Sequence, residues 1–410
     1  MNEPVKKIMI IAVGDWQVPI IQKAKDMGLF VINTNLYEDS PGFRYADVGV
    51  VADVLDKERN LEIARVYAPD AVITDQTDIA VPTVAYLCEQ LGLPGIGMEK
   101  AGLFTNKHLM RKFLEERRFP TPRFCLCRGL DEAVSFCGEN GFPAVVKPPA
   151  SQSSRGVHKI SSVDDLAELY RDALRFSHDG SVLMEEYIEG TEFTVEGFAT
   201  HARAYSLAVS RKTHFPHSEM VASRLHYSLN DPEYDYEELR ALNERLVSEM
   251  GLPFGITHAE YKFKDGRYYL IEIAARGGGT KISSHVVPEM SGIDVNELLI
   301  RCAMGERIRE IWPERRDVHV VLDFLLFSAG RVDSIEGVDM VLSDPRVIDF
   351  GVNFKPGDEI REPADDRSRH AHLIARGKSR SEIDEICRKV RDTIRVTYRK
   401  QSYDKFGKGA

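Results

Sequence analysis

His258-Ala-Glu-Tyr-Lys-Phe-Lys264, Asp265-Gly-Arg267 and Tyr268-Tyr-Leu-Ile-Glu-Ile-Ala274 together read as a β-hairpin. Two runs of alternating character flank an Asp-Gly turn, the strongest short-range hairpin signal. Ala259, Tyr261 and Phe263 are expected to share a face with Tyr269, Ile271 and Ile273. A three-residue loop over 265–267 keeps those six together, because a one-residue slip sends half of them to the other side. That register sets Glu260 opposite Glu272 on the second face. Carboxylates directly opposed on neighbouring strands lie about 5 Å apart and repel each other. A divalent cation held between them turns the repulsion into binding, so the pair is a candidate metal site. The run Ala275-Arg-Gly-Gly-Gly279 follows at once and suits the approach of a substrate anion.

Upstream, residues 143–148 place Lys147 at the end of an apolar strand, and a small-residue loop from Ala150 to Val157 follows. Such a loop brings backbone N–H groups and hydroxyls onto phosphate oxygens. Read alone, it is equally a surface loop beside a snorkelling lysine. Lys107, on a polar helix expected over 106–117, carries less by itself. Glu185, Glu186, Tyr187 and Ile188 end an apolar strand, and Gly190 to Glu192 begin the next. Acidic groups and exposed backbone beside an apolar strip suit an adenine and a ribose. The order of these parts is the signal, more than any one of them.

Farther out, the first hundred residues alternate strand and helix: strands at 8–13, 29–33 and 71–74, helices at 19–27 and 79–91. That alternation implies a parallel sheet covered on both faces. Asp15, Trp16 and residues 75–78 fall at carboxyl ends of its strands, the edge that ligands favour. A compact α+β unit of strands 123–127, 144–147 and 181–188 with helices 130–139 and 163–175 comes next. Strands then dominate from 192 to 209 and through the hairpin. A helix over 294–304, strands at 318–328 and 346–354 and a final helix over 381–397 complete the chain.

The chain has 410 residues, 43% hydrophobic and 29% charged, with a net charge of −10. Two or three domains are expected at this length. The negative balance argues against a bulk nucleic-acid binder. No apolar run reaches the ~18 residues of a membrane span, and the N-terminus shows no signal-peptide pattern. Six scattered cysteines read as reduced thiols, so a cytoplasmic protein is expected. Three motifs lead nowhere. Gly377-Lys-Ser379 lacks the glycine of a Walker loop, Gly14 lacks the dinucleotide fingerprint, and His214 and His217 lack a third ligand at zinc-like spacing.

The ordered parts resemble the ATP-grasp superfamily of carboxylate–amine ligases, nearest to its L-amino-acid ligase and carbamoyl-phosphate-synthase-like members. The resemblance implies an α/β and α+β architecture. An N-terminal parallel-sheet (pre-ATP-grasp) domain over 1–104 would precede a small lid subdomain over 105–190. A large subdomain over 191–310 and a C-terminal α+β extension over 311–410 would follow. It assigns Lys107 and Lys147 to ATP phosphates and the loop of Ser151, Ser153, Ser154 and Gly156 to their cover. Glu185, Glu186, Tyr187 and Ile188 would hold adenine, and Glu192 the ribose. Glu260 and Glu272 would hold Mg²⁺, with Mn²⁺ as a substitute, and Arg276 and Lys147 would serve catalysis. Where the family commonly reads Glu-x-Asn-x-Arg, this chain has Glu272-Ile-Ala274-Ala-Arg276, so a customary ligand of the second metal is missing.

The resemblance implies a ligase that activates a carboxylate as an acyl phosphate and joins it to an amine, releasing ADP and phosphate. Arg276 and the 277–279 backbone would steady the oxyanion, and Arg211, His214, His217, Arg224 and Gly278 are candidates for the substrate pocket. Expected partners are small-molecule carboxylates and amines, with neither nucleic acid nor membrane, and the family leaves room for a homodimer. Two alternatives stand beside this reading. One is a non-catalytic nucleotide-binding regulator or scaffold, for which Ala274 speaks; the other is an ATP-grasp carboxylase or kinase.

Overall fold

A computed structural model describes residues 5–151 and 155–399. Ser153 and Ser154 lie outside the described residues. The N-terminal sheet is parallel, in the order Val48–Val51, Phe30–Asn35, Lys7–Ile11 and Ala71–Ile73. Its central strand is almost wholly buried, as an apolar strand covered on both faces should be. Strand Val48–Val51 and the helices Lys57–Tyr67 and Met98–Thr105 add to the elements expected from the sequence.

The segment expected to form the lid is a four-stranded antiparallel sheet, ordered Phe124–Cys127, Val182–Glu186, Ala144–Lys147 and His158–Ile160. The amphipathic helix Val163–Arg175 packs Leu166, Tyr170 and Ala173 onto it at helical spacing. The leading helix, Lys107–Glu116, is started by the Asn106 side chain, which accepts from the His108 and Leu109 N–H groups. Its buried stripe is Lys107, Met110, Arg111 and Leu114. Two cations one turn apart therefore face the protein interior.

The large sheet has eight strands, from Arg267–Ala274 and Gly255–Lys264 at one edge to Ala371–Gly377 and Val347–Val352 at the other. Three strands beyond residue 310 continue this sheet, so the boundary expected there crosses a sheet shared by both segments. The final helix stops at Thr393, and Arg395–Tyr398 is a strand rather than its last turn. One apolar core joins the N-terminal sheet to the large one, packing Ile8, Ile10 and Ile20 with Val287, Ile300 and Leu322. That shared core seats the 75–78 loop against the glycine run.

The hairpin corrects the expected register. Lys264 pairs with Arg267, leaving a two-residue Asp265-Gly266 turn with both residues at positive φ. This turn matches the twist of the flanking strands better than the three-residue loop. Tyr268 and Leu270, instead of Tyr269 and Ile271, accordingly enter the core beside Phe263 and Tyr261. A β-bulge at Ile271 then restores the phase, and Glu260 pairs with Glu272 as expected.

Candidate active site

A cavity of about 170 Å³ opens between the lid, the hairpin and the 75–78 loop. Glu260 and Glu272 sit on its floor and Lys107 and Lys147 on one wall. Ser151, Glu185 to Ile188, Glu192, His214 and Arg276 also line it. Most of the expected site residues therefore meet in one place. Gly156 has φ +68°, and a Cβ there would lie 2.7 Å from Phe176, so the loop's return requires glycine.

The charges interlock. Glu185 takes Lys147 Nζ at 2.7 Å and Arg111 Nε at 2.7 Å. All three are almost fully buried. Burial pushes the Lys147 ammonium down to about 8, although Glu185 pulls it upward. Burial also opposes ionisation of Glu185, but Arg111 and Lys147 outweigh it and hold the carboxyl below its usual range. Arg111 Nη2 donates to the Ile271 carbonyl at 2.6 Å, within the hairpin bulge.

Lys107 Nζ lies 2.8 Å from Glu272 and donates to the Ser151 carbonyl at 2.7 Å. Glu260 faces Lys212 at 3.2 Å and His258 at 3.4 Å. Against the cost of burial, these two cations keep Glu260 well below the usual carboxylate range. His258 also holds the buried Glu196 at 2.9 Å. Although burial works against its charge, Glu196 and Glu260 raise His258 to about 9. Lys212 reaches Glu192 at 2.5 Å, and His214 reaches the other Glu192 oxygen at 3.4 Å.

Arg276 is held from the N-terminal domain. Its Nε and Nη2 bind Asp78 at 3.1 and 2.7 Å, a bidentate fork. The glycine run docks beside it: the Gly277 N–H donates to buried Asp75 at 2.9 Å, and Ser283 Oγ donates to the same carboxylate. Burial raises the Asp75 carboxyl above its usual range. Gly278 packs so closely on His258 that a Cβ there would lie 2.9 Å from its ring.

Three expected substrate residues lie elsewhere. Side chains alternate along a strand, so Lys212 and His214 enter the cavity while Arg211 points to the opposite face. Arg224 lies beside Arg211, paired with Asp323 and Asp384 at 2.7 Å. His217 stacks on Phe215 and contacts Glu362 and the Pro363 carbonyl. The sequence reading missed Arg111, Lys212 and His258, and it pointed to residues 75–78 only as part of a strand edge that ligands favour. The pairing parity of Glu192 and the stripe Lys107–Met110–Arg111–Leu114 were the available signals. Ala274 lines the cavity and offers no side-chain oxygen.

Residues 140–284 match the ATP-grasp domain model, and residues 323–399 match L-amino acid ligase C-terminal domain 2. A formate-dependent phosphoribosylglycinamide formyltransferase of Sulfurisphaera tokodaii is 24% identical over 411 aligned positions, covering 96% of this chain and 98% of that protein. The L-amino acid ligase of Bacillus licheniformis superposes with a TM-score of 0.80 at 22% identity, over 97% of this chain and 100% of that one. The biotin carboxylase domain of Hydrogenobacter thermophilus 2-oxoglutarate carboxylase, solved with MgADP, superposes with a TM-score of 0.78. It is 19% identical and covers 97% of this chain and 91% of that one.

Proposed function

We propose that this chain, whose fold is that of the ATP-grasp enzymes, is an ATP- and Mg²⁺-dependent ligase joining a small-molecule carboxylate to an amine, an amino acid or a similar molecule. The reading rests on one observation: two opposed glutamates and two buried lysines, from separate segments, line a single cavity.

The residues suit the ion. Mg²⁺ is usually held by one or two carboxylates, completed by phosphate oxygens and water. Among the described residues no group of three or more His, Cys, Asp or Glu is arranged for a metal, so an ion here depends on the nucleotide as well as on Glu260 and Glu272. Bound there, it supplies neutralisation of charge on the phosphate oxygens.

Lys107 and Lys147 lie within reach of the same phosphates, and residues 185–188 and Glu192 form the adenosine end. A substrate carboxylate oxygen attacks the γ-phosphorus, ADP leaves and an acyl phosphate forms. The amine attacks the acyl carbon, inorganic phosphate departs with the electron pair, and the amine's proton is lost as the amide forms. Arg276, fixed by Asp78, is aimed at the charge that develops on the acyl oxygen.

Replacing Glu272 with alanine should abolish substrate-dependent ADP release while the melting temperature stays within a few degrees. Continued ADP release by the folded variant would sink the metal assignment. A screen over pairs of amino acids and small carboxylates, read by mass spectrometry of products, separates a ligase from a carboxylase, a kinase or a protein that only binds nucleotide.

A further inference from the structure

A second cavity, of about 110 Å³, opens directly off the first. The two share Asp78, Lys212, His258, Glu260, Arg276 and Asp366. Beyond that polar junction Gln76 and Thr280 add polar groups on one side, and the opposite wall is largely apolar. Ala222 and Leu225 come from strand Ser218–Tyr227, Leu322 and Phe324 from the neighbouring strand His319–Leu325, and Ile282 from the segment after the glycine run. Trp16 stands at the carboxyl edge of the N-terminal sheet and also lines the cavity.

One cation breaks this wall. Arg369 comes from the C-terminal segment and is only 9% exposed. Its guanidinium lies over the Phe324 ring at 3.8 Å and makes a close ion contact with Asp366 through Nη2. Its Nε is buried with no hydrogen-bond partner in the protein. Burial pulls the Arg369 pKa below its usual value, more than Asp366 and Glu260 restore it. A buried guanidinium with an unused donor costs free energy unless an anion meets it. Asp366 is partly exposed and lines both cavities, so it only partly serves.

The cavity thus suits a molecule with an anionic group and an apolar body. The reacting carboxylate belongs at the Glu260–Arg276 junction, so a second anion against Arg369 is one that the reaction leaves intact. We propose that this cavity is the subsite of the amine-bearing substrate, that this substrate is an α-amino acid with an apolar side chain, and that Arg369 binds its unreacted carboxylate. The assignment rests on the ligase reading above for the role of the amine. Arg369 is then a specificity-determining residue supplied by the C-terminal domain.

Binding of L-leucine, L-leucinamide and L-glutamate is measured by titration calorimetry, with Mg²⁺ and a non-hydrolysable ATP analogue present, so no turnover is needed. The intact protein should bind leucine at least about tenfold more tightly than leucinamide, the weight of one charge-assisted hydrogen bond. It should bind leucine more tightly than glutamate. Arg369→Gln should weaken leucine by a similar factor and leave leucinamide unchanged, and Ala222→Leu should weaken leucine by narrowing the apolar wall.

Equal binding of leucine and leucinamide by the intact protein overturns the carboxylate assignment, whether or not the variants fold. A preference for glutamate, or no amino-acid binding at all, overturns the apolar subsite. Leucine binding that depends on Arg369, without ADP formation for any pair, upholds the subsite and refutes the ligase reading instead. ADP formation favouring a carboxylate-free amine does the reverse.

Discussion

Replacing Glu185 with glutamine would remove the only carboxylate ion-paired with Lys147 and Arg111 among the described residues. Glutamine keeps the shape of the side chain and discards the charge. Lys147 already sits at about 8, pushed down by burial. At pH 7.5 such a lysine is about three-quarters charged. An opposite charge in direct contact favours the ionised form by about 1.4–4 kcal/mol. Without it, the charged fraction of Lys147 at pH 7.5 falls to about one quarter at the weak end and below about one in a hundred at the strong end. If Lys147 grips phosphate only as an ammonium, kcat/KM for ATP falls about threefold at the weak end and above about a hundredfold at the strong end.

The assay is the pH profile of kcat/KM for ATP, which reports the free enzyme. In the parent protein it should decline as pH rises through about 8. In Glu185→Gln the decline should begin at lower pH, and activity should recover on acidification. A variant profile uniformly lower but parallel to the parent's would refute the argument, because the lost activity would then not follow Lys147 ionisation. Stability runs with the opposite sign. Between about 8 and the ordinary value of 10.5 the unfolded chain binds more protons at this lysine, so its contribution to stability improves as pH rises through that window.

Two further outcomes follow from the geometry. A Cβ on Gly190 would lie 2.0 Å from the Phe263 carbonyl oxygen, a backbone atom, so Gly190→Ala should cost about 2 kcal/mol or more. A urea midpoint equal to the parent's contradicts this. Asp78→Asn takes away the charged half of the fork on Arg276, and kcat should drop by about tenfold or more in a protein that still binds ATP. An unchanged kcat would show that Arg276 needs no anchor from the N-terminal domain.

Local patterns were the legible part of this chain. The alternating strands around the Asp-Gly turn led to the Glu260–Glu272 pair, and the lysine-to-loop order led to Lys147, whereas Lys107 came from the family resemblance. The pair was reached through a register wrong by one residue near the turn, since a bulge leaves no mark in the hydrophobic pattern. Arg211 and Arg224 were misplaced because charge was weighed without strand parity; Lys212, one residue on, is the side chain that enters the cavity. Asp75, Asp78 and Arg369 reach the site from about 200 residues upstream of the glycine run and about 90 residues beyond it. No local pattern reports a meeting of that kind.

The bulge at Ile271 has one more effect. A hairpin with a three-residue loop and no bulge would oppose the same two glutamates, so the defect is not needed to make the pair. What it frees is the Ile271 carbonyl, left out of the ladder and taken by Arg111 Nη2, while Arg111 Nε grips Glu185 on the neighbouring sheet. An irregularity of one residue thus ties the hairpin to the wall of the cavity that carries Glu185. Straightening that strand by shifting its register would keep the acids in place and cut the link that Arg111 makes between the hairpin and Glu185.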